Sequence, residues 1–193
     1  MMRHIDHIDL SAVLRDTVSC DLYSNLVTRP TGAAVRAQIE ALLRDSGPAL
    51  AVIDFTHVRM IDFSCADEVV AKLLLRYCDD LPPREAYFIF RGVSDAHWDA
   101  IEVVLEQRGL ALLVEEEHGL ELRGALTDKE RRAWEVVRSR GCTAPADVAD
   151  EIGGDDSDAK QLLEALHRRR LVMAVDGGYA VVGAHAGRTD ARE

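Results

Sequence analysis

Cysteine is scarce in this chain and carries no framework. Cys20, Cys65, Cys78 and Cys142 stand alone among 193 residues, without a C-x-x-C pair. They read as reduced thiols of a cytosolic protein, not as a disulfide scaffold. Long apolar runs are also missing. The longest, such as residues 48–55, fall far short of the ~20 residues a membrane helix needs. The opening Met1-Met2-Arg3-His4-Ile5-Asp6-His7 has no apolar core ahead of a small-residue cleavage site, so no secretory signal is expected. No Walker loop, G-x-S-x-G, H-E-x-x-H or G-x-G-x-x-G occurs. The expectation is a cytoplasmic, soluble protein that is not an enzyme and takes no cofactor.

Positive charge is in short supply as well. Lys and Arg number 23 against 34 Asp and Glu, a formal net of −11. Residues 1–126 carry 12 basic and 21 acidic side chains, while residues 127–193 carry 11 and 13. The acidic first part repels phosphate backbones at long range, which argues against a nucleic-acid domain there. The near-neutral second part leaves that question open. At about 100 to 150 residues per domain, the length accommodates one full domain and a smaller second one.

The apolar pattern divides near Gly124. Before it, strand candidates at residues 19–22, 49–55, 86–90, 110–114 and 120–122 alternate with helical periodicity over residues 33–44, 64–78 and 94–108. Gly109 stops the last of these helices. Alternation with short links predicts an α/β domain, a sheet with packed helices. After Gly124, Thr127 and Glu130 form a capping box opening a helix to Arg140. Helices over residues 143–152 and 157–170 follow, then a hairpin over 171–182 turning at Asp176-Gly177-Gly178.

The most informative segment is Phe55-Thr56-His57-Val58-Arg59-Met60-Ile61-Asp62-Phe63-Ser64-Cys65-Ala66-Asp67-Glu68, which follows a buried strand and opens an apolar-faced helix. With its setting it resembles the STAS family, whose bacterial anti-sigma-factor antagonists carry an apolar residue, Asp, Ser, Ser, Gly at this turn. Asp62 and Ser64 match, while Phe63 and Cys65 stand where the family has Ser and Gly; the following Ala-Asp-Glu looks like a divergent branch. The resemblance covers residues 17–124 and implies a protein partner, of the class of a kinase-like ATPase or an anti-sigma-like factor. It also implies phosphorylation at Ser64, with Asp62, Ser64, Asp67 and Glu68 as the partner-binding surface.

Two readings of Ser64 stay open. A helix N-terminus favours a phosphate dianion; equally, Ser64 caps the helix while Asp67 completes a capping box. Cys65, at the same helix start, is a position where a thiol pKa can fall, but no His or Asn in its sequence context marks a nucleophile. His4 and His7 have no third ligand near them, so the terminus reads as frayed rather than as a zinc site.

Residues 125–183 resemble a winged helix, which implies a recognition role for the third helix, with Lys160, Gln161 and Arg168 as its nucleic-acid contacts. Asp155, Asp156 and Asp158 crowd the end that would approach phosphate. DNA is therefore not favoured as a partner. Residues 1–16 read as an N-terminal extension and 184–193 as a loose tail. Together these features predict a bacterial regulatory protein acting through protein–protein interaction in signalling. The alternative is a DNA-binding transcriptional regulator acting through the C-terminal winged helix.

Overall fold

The computed structural model describes residues 4–17, 25–45, 49–78 and 82–183. The strand expected at residues 19–22 and the tail expected at 184–193 lie outside these. The chain forms two compact units, Met1–Ala125 and Leu126–Glu193. Among the described residues, no helix is long and apolar enough to cross a membrane.

The first unit is built on a five-stranded sheet. Its strands are β1 (His4–Asp9), β3 (Ala49–Asp54), β5 (Ala86–Arg91), β6 (Ala111–Glu116) and β7 (Gly119–Gly124), hydrogen-bonded in that order. All pairings are parallel except the β6–β7 hairpin. A two-stranded parallel pair, β2 (Asn25–Leu26) and β4 (Met60–Ile61), stands apart from it. Ala51, Ile53, Phe88, Phe90, Leu112 and Val114 join the helices in one core. Leu50, Val52, Tyr87 and Ile89, of opposite parity, are buried too. Burial on both faces is why these strands read as continuous apolar runs and not as alternation.

The N-terminal expectation needs correction. His4–Asp9 is neither a frayed end nor an extension but a sheet strand, paired along its length with Ala49–Asp54. It leads into α1 (Leu10–Thr17), whose start is fixed by the Ser11 amide donating to Asp9 Oδ1 at 2.8 Å.

Helix α2 (Arg29–Leu42) begins four residues before its expected start. Pro30 accounts for the difference: it punctuates an apparent loop but sits in the first helical turn, where no intrahelical N–H is lost. The central helical span is α3 (Phe63–Ala66), a π-helical turn (Asp67–Lys72) and α4 (Leu73–Cys78). Both α2 and α5 (Asp95–Arg108) pack against this span. Gly32 permits the close approach of α2, because a Cβ there would lie 2.9 Å from Cys65 Cα and 3.0 Å from Glu68 Cβ.

The second unit comprises α6 (Asp128–Arg140), β8 (Cys142–Thr143), α7 (Pro145–Ile152), α8 (Asp156–Arg168), β9 (Val172–Val175) and β10 (Gly178–Val181). Thr127 and Glu130 form the expected reciprocal cap of α6. The hairpin gains an unforeseen third strand, β8, on the outer side of β10.

Candidate functional site

Asp62 organises the turn that the sequence singled out. Its backbone is extended, and its side chain caps α3 by accepting from the Cys65 amide through Oδ1 at 2.7 Å. The same oxygen accepts from Ser64 Oγ at 2.8 Å, and Oδ2 accepts from the Thr28 amide at 2.9 Å. Asp62 N in turn donates to Leu26 O at 2.9 Å. Burial alone would push this carboxyl upward, but the amides of Thr28 and Cys65 and the Ser64 hydroxyl hold it below the ordinary carboxylate range.

Ser64 is therefore not the helix cap, and Asp67 does not close a capping box with it. Asp62 takes that position two residues earlier, because it also reaches across to the strand-to-helix link at Thr28. That link is strained. Thr28 is β-branched yet has φ 72°, a conformation that costs about 1–3 kcal/mol and persists because its surroundings impose it. Its amide is held by Asp62, and its carbonyl accepts from Gly32 N at 3.1 Å and from Cys65 Sγ at 3.0 Å.

Cys65 also departs from expectation. A helix start lowers a thiol pKa only where the thiol is accessible to its field and to water. This one is buried, and burial, reinforced by the Asp62 charge, pushes it up to about 12. It is a packing residue.

Asp67 and Glu68 lie inward, 4% and 3% exposed, at the opening of the π-helical turn. Four cations close over them. Arg29 Nη1 lies 2.7 Å from Asp67 Oδ2 and 2.8 Å from Glu68 Oε1. Arg108 Nη2 reaches Asp67 Oδ1 at 3.0 Å, Arg36 Nε reaches Glu68 Oε2 at 3.3 Å, and Lys72 pairs with both acids. Burial pushes each carboxyl up, but the hydrogen bonds from Arg29 and Arg108 to Asp67, and from Lys72 and Arg29 to Glu68, bring both below their ordinary values. The two acids are thus ionised and internal, and do not form the exposed partner surface expected of them.

Sequence reasoning did not find Arg29, Arg36 or Arg108. The available signal was indirect: Asp67 falls three residues before Val70 and seven before Leu74. It thus sits on the apolar face, where an acid needs a partner.

The most exposed side chains of residues 60–64 are apolar. Met60 is 48% and Phe63 42% exposed, on either side of the Asp62 latch, with half-buried Ser64 beside them. A second anchor fixes this end of the unit. Buried His97 accepts from Ser94 N at Nδ1, 3.0 Å away, so Nε2 carries the proton and donates to Val58 O at 2.9 Å. Burial lowers the pKa of this neutral imidazole.

In the second unit, Lys160, Gln161 and Arg168 lie exposed on α8. Glu164 shares that face and stands 3.9 Å from Lys160. Gln161 Nε2 donates to Ser157 Oγ at 3.4 Å. Asp155 caps the helix, accepting from Asp158 N at 2.8 Å. Arg169 turns back to Glu130 at 3.0 Å, so the Arg168–Arg170 run does not form one cationic patch. No protein-family model matches the chain, and no curated protein matches it in sequence.

Proposed function

We propose that the protein is a non-enzymatic regulatory interaction module whose first unit, a divergent STAS-like domain, docks a protein partner through the turn at residues 60–64. The observation that carries this reading is the pairing of exposed Met60 and Phe63 with a backbone locked by Asp62. Large apolar side chains on a preorganised turn gain contact area without a backbone ordering cost on binding. Ser64, beside that surface, is the point of control. A protein kinase of the kinase-like ATPase class moves the ATP γ-phosphoryl to Ser64 Oγ, takes the hydroxyl proton on its base and releases ADP.

The second unit, with its order of three helices and a ribbon, supports a winged-helix reading. Its α8 face mixes Lys160 and Arg168 with Asp156, Asp158 and Glu164, which suits a protein contact better than a phosphate backbone. DNA binding is expected to be non-specific, with a Kd no tighter than about 10⁻⁵ M near physiological salt.

The test begins with a partner identified by two-hybrid selection and purified. Met60→Ala with Phe63→Ala is expected to weaken its Kd by about 30-fold, the effect of removing a hot spot worth ~2 kcal/mol. Val103→Ala, which truncates an exposed apolar residue on α5, is expected to leave the Kd unchanged. Equal affinity of the double variant and the wild type overturns this reading. So does a nanomolar DNA site lost on Lys160→Ala or Gln161→Ala, which establishes the regulator instead.

A further inference from the structure

We infer that Arg29 is the receiving group for a phosphate on Ser64, so that phosphorylation is read inside the protein as a transfer of this guanidinium's pairing. The inference rests on the reading of Ser64 as a phosphoacceptor.

Proximity follows from the Asp62 latch. One carboxylate accepts from Ser64 Oγ at 2.8 Å and from the Thr28 amide at 2.9 Å, so the residue after Thr28 starts beside the Ser64 hydroxyl. The side-chain direction agrees. Arg29 reaches Asp67 and Glu68, which lie three and four residues beyond Ser64. Such residues share a helix face. The guanidinium is therefore anchored on residues about one turn along the helical span from Ser64.

Arg29 is also the cation the cluster can most easily share. If it turns away, Asp67 keeps Arg108 and Lys72, and Glu68 keeps Arg36 and Lys72. Two carboxylates face four cations, of which, among the described residues, Arg36 alone serves a further acid, Glu40, at 2.6 Å. The positive charge left over stands out in a unit that is strongly acidic overall. Among the described residues, the hydrogen bonds of Arg29 run through Nη1 alone, and its side chain is 48% exposed. The rest of its planar donor fork is uncommitted among the described residues, and such a fork binds phosphate oxygens in pairs.

A demand for this cation arises with the modification itself. Phosphorylation removes the O–H that Ser64 donates to Asp62 and sets a dianion against that carboxylate. Asp62, Asp67 and Glu68 all oppose the new charge, and Arg29 is the cation tied to the same latch.

The experiment places phosphoserine at position 64 of the full chain during translation, so that it does not depend on a kinase. Phosphorus-31 resonances are then followed through the second phosphate ionisation, which lies near pH 6 in a free phosphoserine. The midpoint is expected to rise by at least about one pH unit in Arg29→Gln. Arg108→Gln, which removes the same charge from the same cluster, is expected to move it by less than half as much. Arg29→Lys, which keeps the charge but loses the fork, falls between them. In the otherwise unchanged phosphoprotein, the Arg29 Nε–Hε resonance is expected to titrate together with the phosphate.

A midpoint unaffected by Arg29→Gln, an equal shift in Arg108→Gln, or an Arg29 resonance silent through the phosphate titration overturns the inference. Failure of any kinase to modify Ser64, with this titration as expected, overturns only the reading of Ser64 as a natural acceptor.

Discussion

Replacing Asp62 by alanine removes two structural tasks from one position. The cap on the Cys65 amide, 2.7 Å long, is worth about 1 kcal/mol. The bond to the Thr28 amide, 2.9 Å long, adds about 1 kcal/mol after allowance for the water that reaches this exposed link. Asp62→Ala is therefore expected to cost ~2 kcal/mol. Asparagine caps about as well as aspartate but offers one acceptor oxygen, so Asp62→Asn loses the Thr28 bond and costs ~1 kcal/mol.

The cost depends on pH. The folded pKa of Asp62 lies below its ordinary 3.8. Its contribution is complete above that ordinary value and disappears as pH falls through the folded value. Hydrogen exchange of the central-helix amides, residues 63–78, in increasing urea reads the opening free energy of this unit in the full chain. Asp62→Ala indistinguishable from wild type at pH 7, or an undiminished deficit at acid pH, refutes the assignment of Asp62 as the latch.

Three further outcomes follow from neighbouring contacts. Gly32→Ala improves helix propensity by about 1 kcal/mol, yet it sets a Cβ 2.9 Å from Cys65 Cα. Overpacking costs about 1–3 kcal/mol, so the net expectation is a lower thermal midpoint, and an unchanged or raised one contradicts the close approach. His97 is buried and neutral with a lowered pKa. Stability is therefore full above the ordinary imidazole value and falls as pH drops below it, at no more than about 1.4 kcal/mol per pH unit; His97→Asn should abolish that slope in a urea series. Native-state alkylation at pH 7 is expected to label exposed Cys142 rapidly and to spare Cys65, which burial holds at about 12. Rapid labelling of Cys65, mapped by peptide mass, contradicts its role as a packing residue.

Local signals were legible and distant ones were not. The capping box of Thr127 and Glu130 and the stop at Gly109 are contained within a few residues, and both stand in the structure. Strand β1 escaped because His-Ile-Asp-His-Ile-Asp shows no strand alternation; its pairing comes from β3, some 45 residues away. The choice between Ser64 and Asp62 as the cap was not local either. Both are good caps, and the decision falls to Leu26 O and the Thr28 amide, 36 and 34 residues upstream of Asp62. Asp67 and Glu68 resemble the solvated acids of any helix start. They are buried because Arg29 and Arg36 from α2, and Arg108 from α5, converge on them. No window of sequence contains that convergence.

The claim that the Ser64 turn is a switched docking face is tested most directly by one comparison of affinities. Calorimetry on the purified partner gives its Kd for the unmodified protein and for the protein carrying phosphoserine at position 64. A dianion beside Phe63 and Met60 adds a desolvation cost and a like charge at Asp62, so the phosphoprotein is expected to bind at least about tenfold more weakly, a change of about 1.4 kcal/mol. Equal affinity for the two forms contradicts the account.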